Sequence, residues 1–206
     1  MKLRIALGLA ATLLAATGSL PAGVEIRIGR DQRAGLESVR AECELAGRTL
    51  VRKYELVCHT KGSRAAEGEL ACPLTPGERI VSYAMDVAGQ RRDGVVVPAR
   101  AAREAYEEIV RRQVDPGILE VDEANKEFRT RIFPIPENGR KHVWITTLTV
   151  VEVGAVRLWP EGFGKPGSWT LKVHLRGGEQ SGTVPGWPLD SAGDAGWSGT
   201  RSGRDS

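Results

Sequence analysis

Two-residue alternation of apolar and polar side chains is the feature that most narrows what this chain can become. In "SWTLKVHL", Trp169, Leu171, Val173 and Leu175 fall on one side, and Ser168, Thr170, Lys172 and His174 on the other. An extended strand sorts residues this way, because successive side chains point to opposite faces. "IVSYAMDV" sets Val81, Tyr83, Met85 and Val87 against Ser82, Ala84 and Asp86, and "EFRTRIF" sets Phe128, Thr130 and Ile132 against Arg129 and Arg131. "KHVWITTLTVV" is apolar on both faces, which predicts a central strand. "RTLVRKYELVCH" and "EGELACPL" read as two strands flanking the turn region "TKGSRAA". Turn signals fall at Pro76-Gly77, Ala88-Gly89, Glu137-Asn138-Gly139 and Pro166-Gly167. The expected class is mainly β, an antiparallel β-sandwich or barrel-like domain.

One stretch breaks the alternation. From Pro98 onward, Ala102, Ala105 or Tyr106, Ile109 and Val110 recur at helical spacing, predicting one amphipathic helix over about 99–113. Arg100 with Glu104, Arg103 with Glu107, Glu107 with Arg111 and Glu108 with Arg112 stand at i, i+4 on its other face. Each such pair contributes only ~0.2–0.5 kcal/mol, so packing of the apolar stripe against a sheet must hold the helix. Asp115-Pro116-Gly117 ends it, since Pro116 pushes Asp115 out of the helical region and Gly117 tolerates positive φ. The helix therefore reads as a brace. Tyr106→Ala is expected to lower stability in chemical denaturation while Glu108→Ala is nearly neutral; the reverse order would remove the packing assignment.

The N-terminus carries Lys2 and Arg4, an apolar run from Ile5 to Ala16, then Thr17, Gly18, Ser19 and Pro21. That describes a secretory signal peptide over 1–19, cut after Ser19 or alternatively after Ala22; an uncleaved N-terminal anchor is the other reading. Export implies a periplasmic or extracellular location, with no stable membrane span after cleavage. Without Lys2 and Arg4 the formal charge falls from +3 to +1. The remaining charges are interspersed, so no basic stripe for nucleic acid exists. Aromatic content is 5%, so a core must be built from Val, Leu, Ile and Ala. Ala, Arg and Gly are abundant, as in proteins of GC-rich bacteria. From Arg176 the chain turns Gly- and Ser-rich, which predicts a flexible tail over 176–206 after a β domain spanning 24–175.

The order of motifs is similar to that of the VIT domain, the module shared by inter-alpha-trypsin inhibitor heavy chains, the vault poly(ADP-ribose) polymerase and exported bacterial proteins. The resemblance rests on Cys72-Pro73-Leu74, the strand to Gly89, Gly94 to Val97, Ala102 to Glu107 with Tyr106, and Phe128 to Pro136, across a core of about 45–153. It implies a compact β domain with a bracing helix, serving structure and protein–protein contact, with no catalytic residue set and no cofactor. Cys72 stands where the family commonly has Phe. VIT domains are usually followed by a von Willebrand A domain with an Asp-x-Ser-x-Ser metal loop, and Asp190-Ser191-Ala192 fails that pattern.

Few residues suggest chemistry. Cys58 and Cys72, near the ends of two strands around the 59–66 turn, are expected to face each other across a hairpin as a disulfide, worth ~3 kcal/mol. Cys43 would then be unbridged or make an intermolecular contact; three buried thiols acting as small apolar residues is the other reading. Cys58-His59 are strand neighbours on opposite faces, an arrangement unsuited to a nucleophile and its base. His59, His142 and His174 share no metal-ligand spacing. Glu104, Glu107, Glu108, Glu120, Asp122 and Glu123 read as a solvated face rather than a Ca²⁺ loop. Tyr106 and Glu107 read as structural. The expectation is an exported, non-enzymatic interaction module with an unnamed protein partner. The alternative is a truncated part of a VIT plus von Willebrand A adhesion protein, and a remote third is a thiol or carboxylate hydrolase.

Overall fold

The computed structural model describes residues 25–28, 34–61, 64–74, 77–98, 118–122, 127–151, 166–176, 190–191 and 197–204. Thirteen strands account for most of them: β1 (Glu25–Ile28), β2 (Ala34–Ala46), β3 (Thr49–Thr60), β4 (Ala66–Pro73), β5 (Arg79–Val87), β6 (Gln90–Asp93), β7 (Val95–Pro98), β8 (Ile118–Asp122), β9 (Glu127–Ile135), β10 (Arg140–Val150), β11 (Ser168–Arg176), β12 (Asp190–Ser191) and β13 (Trp197–Gly203). They form a five-stranded sheet in the order β1-β4-β9-β8-β7 and an eight-stranded sheet in the order β12-β13-β11-β2-β3-β10-β5-β6. The mainly β expectation holds, and β10 is central, between β3 and β5.

The sheets are mixed rather than antiparallel, because β11 runs parallel to β2 and β7 parallel to β8, and neither closes into a barrel among the described residues. Alternation reports which side of a strand is wet and carries no information about the direction of its neighbour. Within the stretch expected to be a flexible tail, Trp197–Gly203 form β13, antiparallel to β11. Backbone pairing with a preformed edge orders a segment whose side chains could not do so alone. The leader expected over 1–19 and the helix expected over about 99–113, with Tyr106, Glu107, Asp115, Pro116 and Gly117, lie outside the described residues.

Both sheets contribute to one hydrophobic core. From the large sheet come Val39, Ala41, Cys43 and Leu45 on β2, Leu50, Tyr54 and Leu56 on β3, Tyr83 and Met85 on β5, Val143 and Ile145 on β10, and Val173 on β11. From the small sheet come Leu70, Cys72, Leu119, Phe128, Ile132 and Ile135. Burying each large aliphatic side chain contributes ~1.5–3 kcal/mol. The hydroxyls of Tyr83 and Thr130 meet at 2.7 Å in this core, tying β5 of one sheet to β9 of the other.

The alternation in β5 is interrupted. Thr146 of β10 faces Ser82 and Thr147 faces Ile80, so Val81 is the extra residue of a bulge and is 56% exposed. At the β9–β10 turn, the Gly139 amide donates to the Pro136 carbonyl at 3.0 Å. A Cβ on Gly139 would stand 2.7 Å from the Pro136 side chain, which is why glycine closes this turn.

Candidate functional site

The broad surface offered to other molecules is the outer face of the large sheet, and its alternating strands line it with charge. Arg40 of β2 stands opposite Glu55 of β3, and its Nη1 donates to Oε2 at 2.6 Å. His142 Nδ1 lies 3.1 Å from the other Glu55 oxygen. The His142 ring stacks on Trp144 with centroids 5.6 Å apart, and the Arg91 guanidinium from edge strand β6 sits 5.1 Å from the Trp144 ring centre. Arg176 Nε approaches Glu44 at 2.6 Å, and His174 Nε2 approaches Glu42 at 3.6 Å. Arg140 Nε donates to both oxygens of Glu37, at 2.9 and 2.7 Å, and this hydrogen bond holds the Glu37 carboxyl below its ordinary value. Glu37 is itself the extra residue of a bulge in β2, between the paired positions Leu36 and Ser38.

The outer face of the small sheet repeats the pattern. Arg129 pairs with Glu127 at 3.1 Å and lies 3.8 Å from Glu69, while Arg131 reaches Glu67 at 4.0 Å. Exposed pairs of this kind add little stability. Their consequence is electrostatic: both faces present alternating, mutually satisfied signs rather than a field of one sign.

The interior holds a second polar cluster. Arg52 and Thr147 are register partners on β3 and β10. Arg52 Nη1 donates to Glu78 Oε1 and to Thr149 Oγ1, both at 3.0 Å, and the Thr147 hydroxyl donates to the same Glu78 oxygen at 2.5 Å. The Arg52 and Glu78 side chains are 4% and 5% exposed, so this is a buried ion pair, hydrogen-bonded through Arg52 Nη1 while the buried Arg52 Nε makes no hydrogen bond. Nearby, burial pushes the Tyr54 phenol well up. Lys141, also buried, donates from Nζ to the Phe133 carbonyl at 2.9 Å.

The cysteines do not form the expected bridge. Cys43, Cys58 and Cys72 are all buried thiols. Cys58 pairs through β3 with β2 and β10 in the large sheet, whereas Cys72 pairs through β4 with β9 in the small one, so no hairpin sets them face to face. Burial pushes Cys43 and Cys58 up to about 12 and Cys72 in the same direction. Such thiols stay protonated at neutral pH and are poor nucleophiles.

The Vault protein inter-alpha-trypsin domain matches residues 36–147, more than half of the chain. The chain belongs to the VIT family. The match begins in β2 and ends in β10, so it spans strands of both sheets and the buried Arg52–Glu78 pair. No curated protein matches the chain. Among solved structures, a two-domain M1 zinc metallopeptidase bound to L-tryptophan overlaps at a TM-score of 0.45 and 8% identity, covering 84% of this chain and 40% of that one. A candidate nutrient-binding protein from Legionella pneumophila overlaps at a TM-score of 0.45 and 10% identity, covering 91% of this chain and 68% of that one. Overlaps this loose transfer neither fold nor chemistry to the VIT chain.

Of the residues singled out from sequence, Cys58 and Cys72 lie in the core of the VIT domain. His142 and His174 stand on its outer face beside Glu55 and Glu42, while His59 is half-buried with Nδ1 enclosed and without a hydrogen-bond partner. The three histidines are not brought together. Sequence reasoning passed over the buried Arg52–Glu78 pair and the strand β2. The alternation of Val39, Ala41, Cys43 and Leu45 with Arg40, Glu42 and Glu44 was the available signal for β2. Arg52 sits in phase with Leu50, Tyr54 and Leu56, and a charge in phase with a core face marks a buried partner.

Proposed function

We propose that this VIT chain is an exported, non-enzymatic module that works by binding another protein. Membership of the VIT family across residues 36–147 carries this reading. The protonated, core-facing thiols support it over thiol hydrolysis. The self-neutralised outer faces favour a partner recognised through shape and backbone pairing over one drawn in by net charge. Export rests on Lys2 and Arg4 before the apolar run Ile5 to Ala16.

The test is cell fractionation with N-terminal sequencing, followed by crosslinking and capture from the exported fraction. The expected result is a mature chain starting after Ser19 or Ala22, outside the cytoplasm. It is expected to form a defined complex that reforms from the two purified proteins in isothermal titration. A cytoplasmic chain with Met1 intact would remove the export reading. A mature chain that yields no reconstitutable complex would remove the interaction reading.

A further inference from the structure

The three thiols are placed so that the bridges shortest in sequence are the ones the fold forbids. Cys58 stands 15 residues from Cys43 and 14 from Cys72, whereas Cys43 and Cys72 are 29 apart. On β3, Arg52 is the partner of Cys43 and lies six residues from Cys58. At ~3.3 Å per residue that is ~20 Å, and two Cα atoms more than ~7 Å apart cannot be bridged without moving the backbone.

Cys58 is far from Cys72 as well. Its partner on β10, Lys141, donates from Nζ to the Phe133 carbonyl at 2.9 Å. Thr60, two residues on, donates its hydroxyl to the Pro136 carbonyl at 2.6 Å. Both contacts set Cys58 beside the C-terminal end of β9. Cys72 pairs with Phe128 near the other end, five residues before Phe133 and ~17 Å from it along the strand. Cys43 and Cys72 belong to opposite sheets and are unbridged.

In the folded chain this arrangement is inert. Cys58 is fully buried, and burial keeps scarce the thiolate that attacks a disulfide. Unfolding exposes the thiols and lets sequence distance decide. Loop closure weakens as roughly the 3/2 power of length, so each short bridge to Cys58 forms about threefold more readily than Cys43 to Cys72. Cys58 then takes part in roughly five of every six bridges.

We infer that Cys58 is a redox gate on folding: once it is bridged to Cys43 or Cys72 in the unfolded chain, the two sheets cannot close. The step is thiol–disulfide exchange with a disulfide oxidant. One protein thiolate attacks an oxidant sulfur and frees the other as a thiolate; the second protein thiolate then displaces the attached sulfur. Two protein thiols become one disulfide, and the oxidant becomes two thiols that carry the two protons. The inference rests on the export reading above, which supplies the oxidising compartment. There the chain reaches its fold only where the sheets close ahead of oxidation, or where a dithiol reductase reopens the Cys58 bridge.

The test holds the full chain in urea at a small fraction unfolded, each variant being set to the same fraction from its own denaturation curve. Oxidised dithiothreitol, a cyclic disulfide, then replaces the reduced form. Strand circular dichroism is expected to decay as molecules are trapped and to return on reduction, and peptide mapping without reductant should find Cys58 in most bridges. Cys58→Ala should slow the decay about sixfold, and Cys43→Ala and Cys72→Ala only about two- to threefold, following the loop-length shares. Cys58→Val gives the same comparison if alanine leaves too little folded chain. Equal slowing by all three sites, no decay in oxidant, or a bridged Cys58 in a chain with its native spectrum would overturn the gate. An exported chain found folded with Cys58 in a disulfide would sink the gate and leave export standing. A cytoplasmic chain with Met1 intact that is trapped as described would do the converse.

Discussion

Arg52→Met is expected to destabilise the fold by ~3–5 kcal/mol in urea denaturation, through what it leaves behind more than through what it removes. The Glu78 side chain is 5% exposed, and Arg52 is its cationic partner at 3.0 Å. Without the guanidinium, a carboxylate remains in low dielectric, still bonded to the Thr147 hydroxyl but with no cation beside it in that pair. The Thr149 hydroxyl loses the Arg52 donor as well, a further term of ~1–3 kcal/mol if it stays dry. The double change Arg52→Met with Glu78→Leu should recover more than half of the loss, because two matched apolar groups replace the charged pair. The two sites touch, so the cycle should be strongly non-additive. A loss below ~1 kcal/mol for Arg52→Met would mean that Glu78 reaches water and that the pair does not organise the end of β3, β10 and β5.

The second large effect is alkaline unfolding. An unfolded thiol titrates near 8.5, whereas burial pushes Cys43 and Cys58 from an ordinary 9.0 up to about 12 and raises Cys72 likewise. These are groups with raised folded values, so their contribution is fully present below the unfolded pKa and is lost as pH climbs toward the folded one. Above pH ~8.5 the unfolded chain sheds protons that the folded chain keeps, and each thiol costs about 1.4 kcal/mol per pH unit. Three thiols give a slope of roughly 4 kcal/mol per unit, and above pH ~10 the buried Tyr54 phenol adds in the same sense. Against a domain stability of ~5–15 kcal/mol, the fold should be lost between about pH 10 and 12. Urea titrations at pH 8, 9 and 10 should show the decline, and Cys58→Ala should flatten it by about one thiol's share. Stability unchanged from pH 8 to 10.5 would show that solvent reaches the thiols in the folded state.

Much of the sheet structure was legible because burial leaves a two-residue imprint. The stretches read as strands around 48–59, 67–74, 80–87, 127–133, 141–151 and 168–175 coincide with β3, β4, β5, β9, β10 and β11 to within a few residues. The VIT resemblance was legible because five motifs stood in order, one of them the strand ending at Gly89, where the backbone takes a φ of 79° that glycine accepts without strain. What escaped were features set by register. Val81 looked like a core residue by alternation and is exposed, because the bulge opposite Thr146 and Thr147 shifts the phase of β5. Cys58 and Cys72 looked like hairpin partners because a turn separates them, yet the chain changes sheets at that turn. Nothing local records which sheet a strand will enter.

By itself the sequence determined the class, mainly β, and for most strands which side chains face inward, since the cost of wetting Leu50, Leu56, Val143, Ile145 and Val173 is paid wherever those strands end up. Only the tertiary structure decided neighbours and directions: β11 parallel to β2, Arg52 against Glu78, and β13 laid along β11. Those choices depend on groups far apart in the chain meeting in one place, and a buried charge or a glycine opposite an indole has meaning only after its counterpart arrives. The strand in the Gly- and Ser-rich stretch is the clearest case, because it lies between β12 and β11 and nothing in its own composition names β11 as its neighbour.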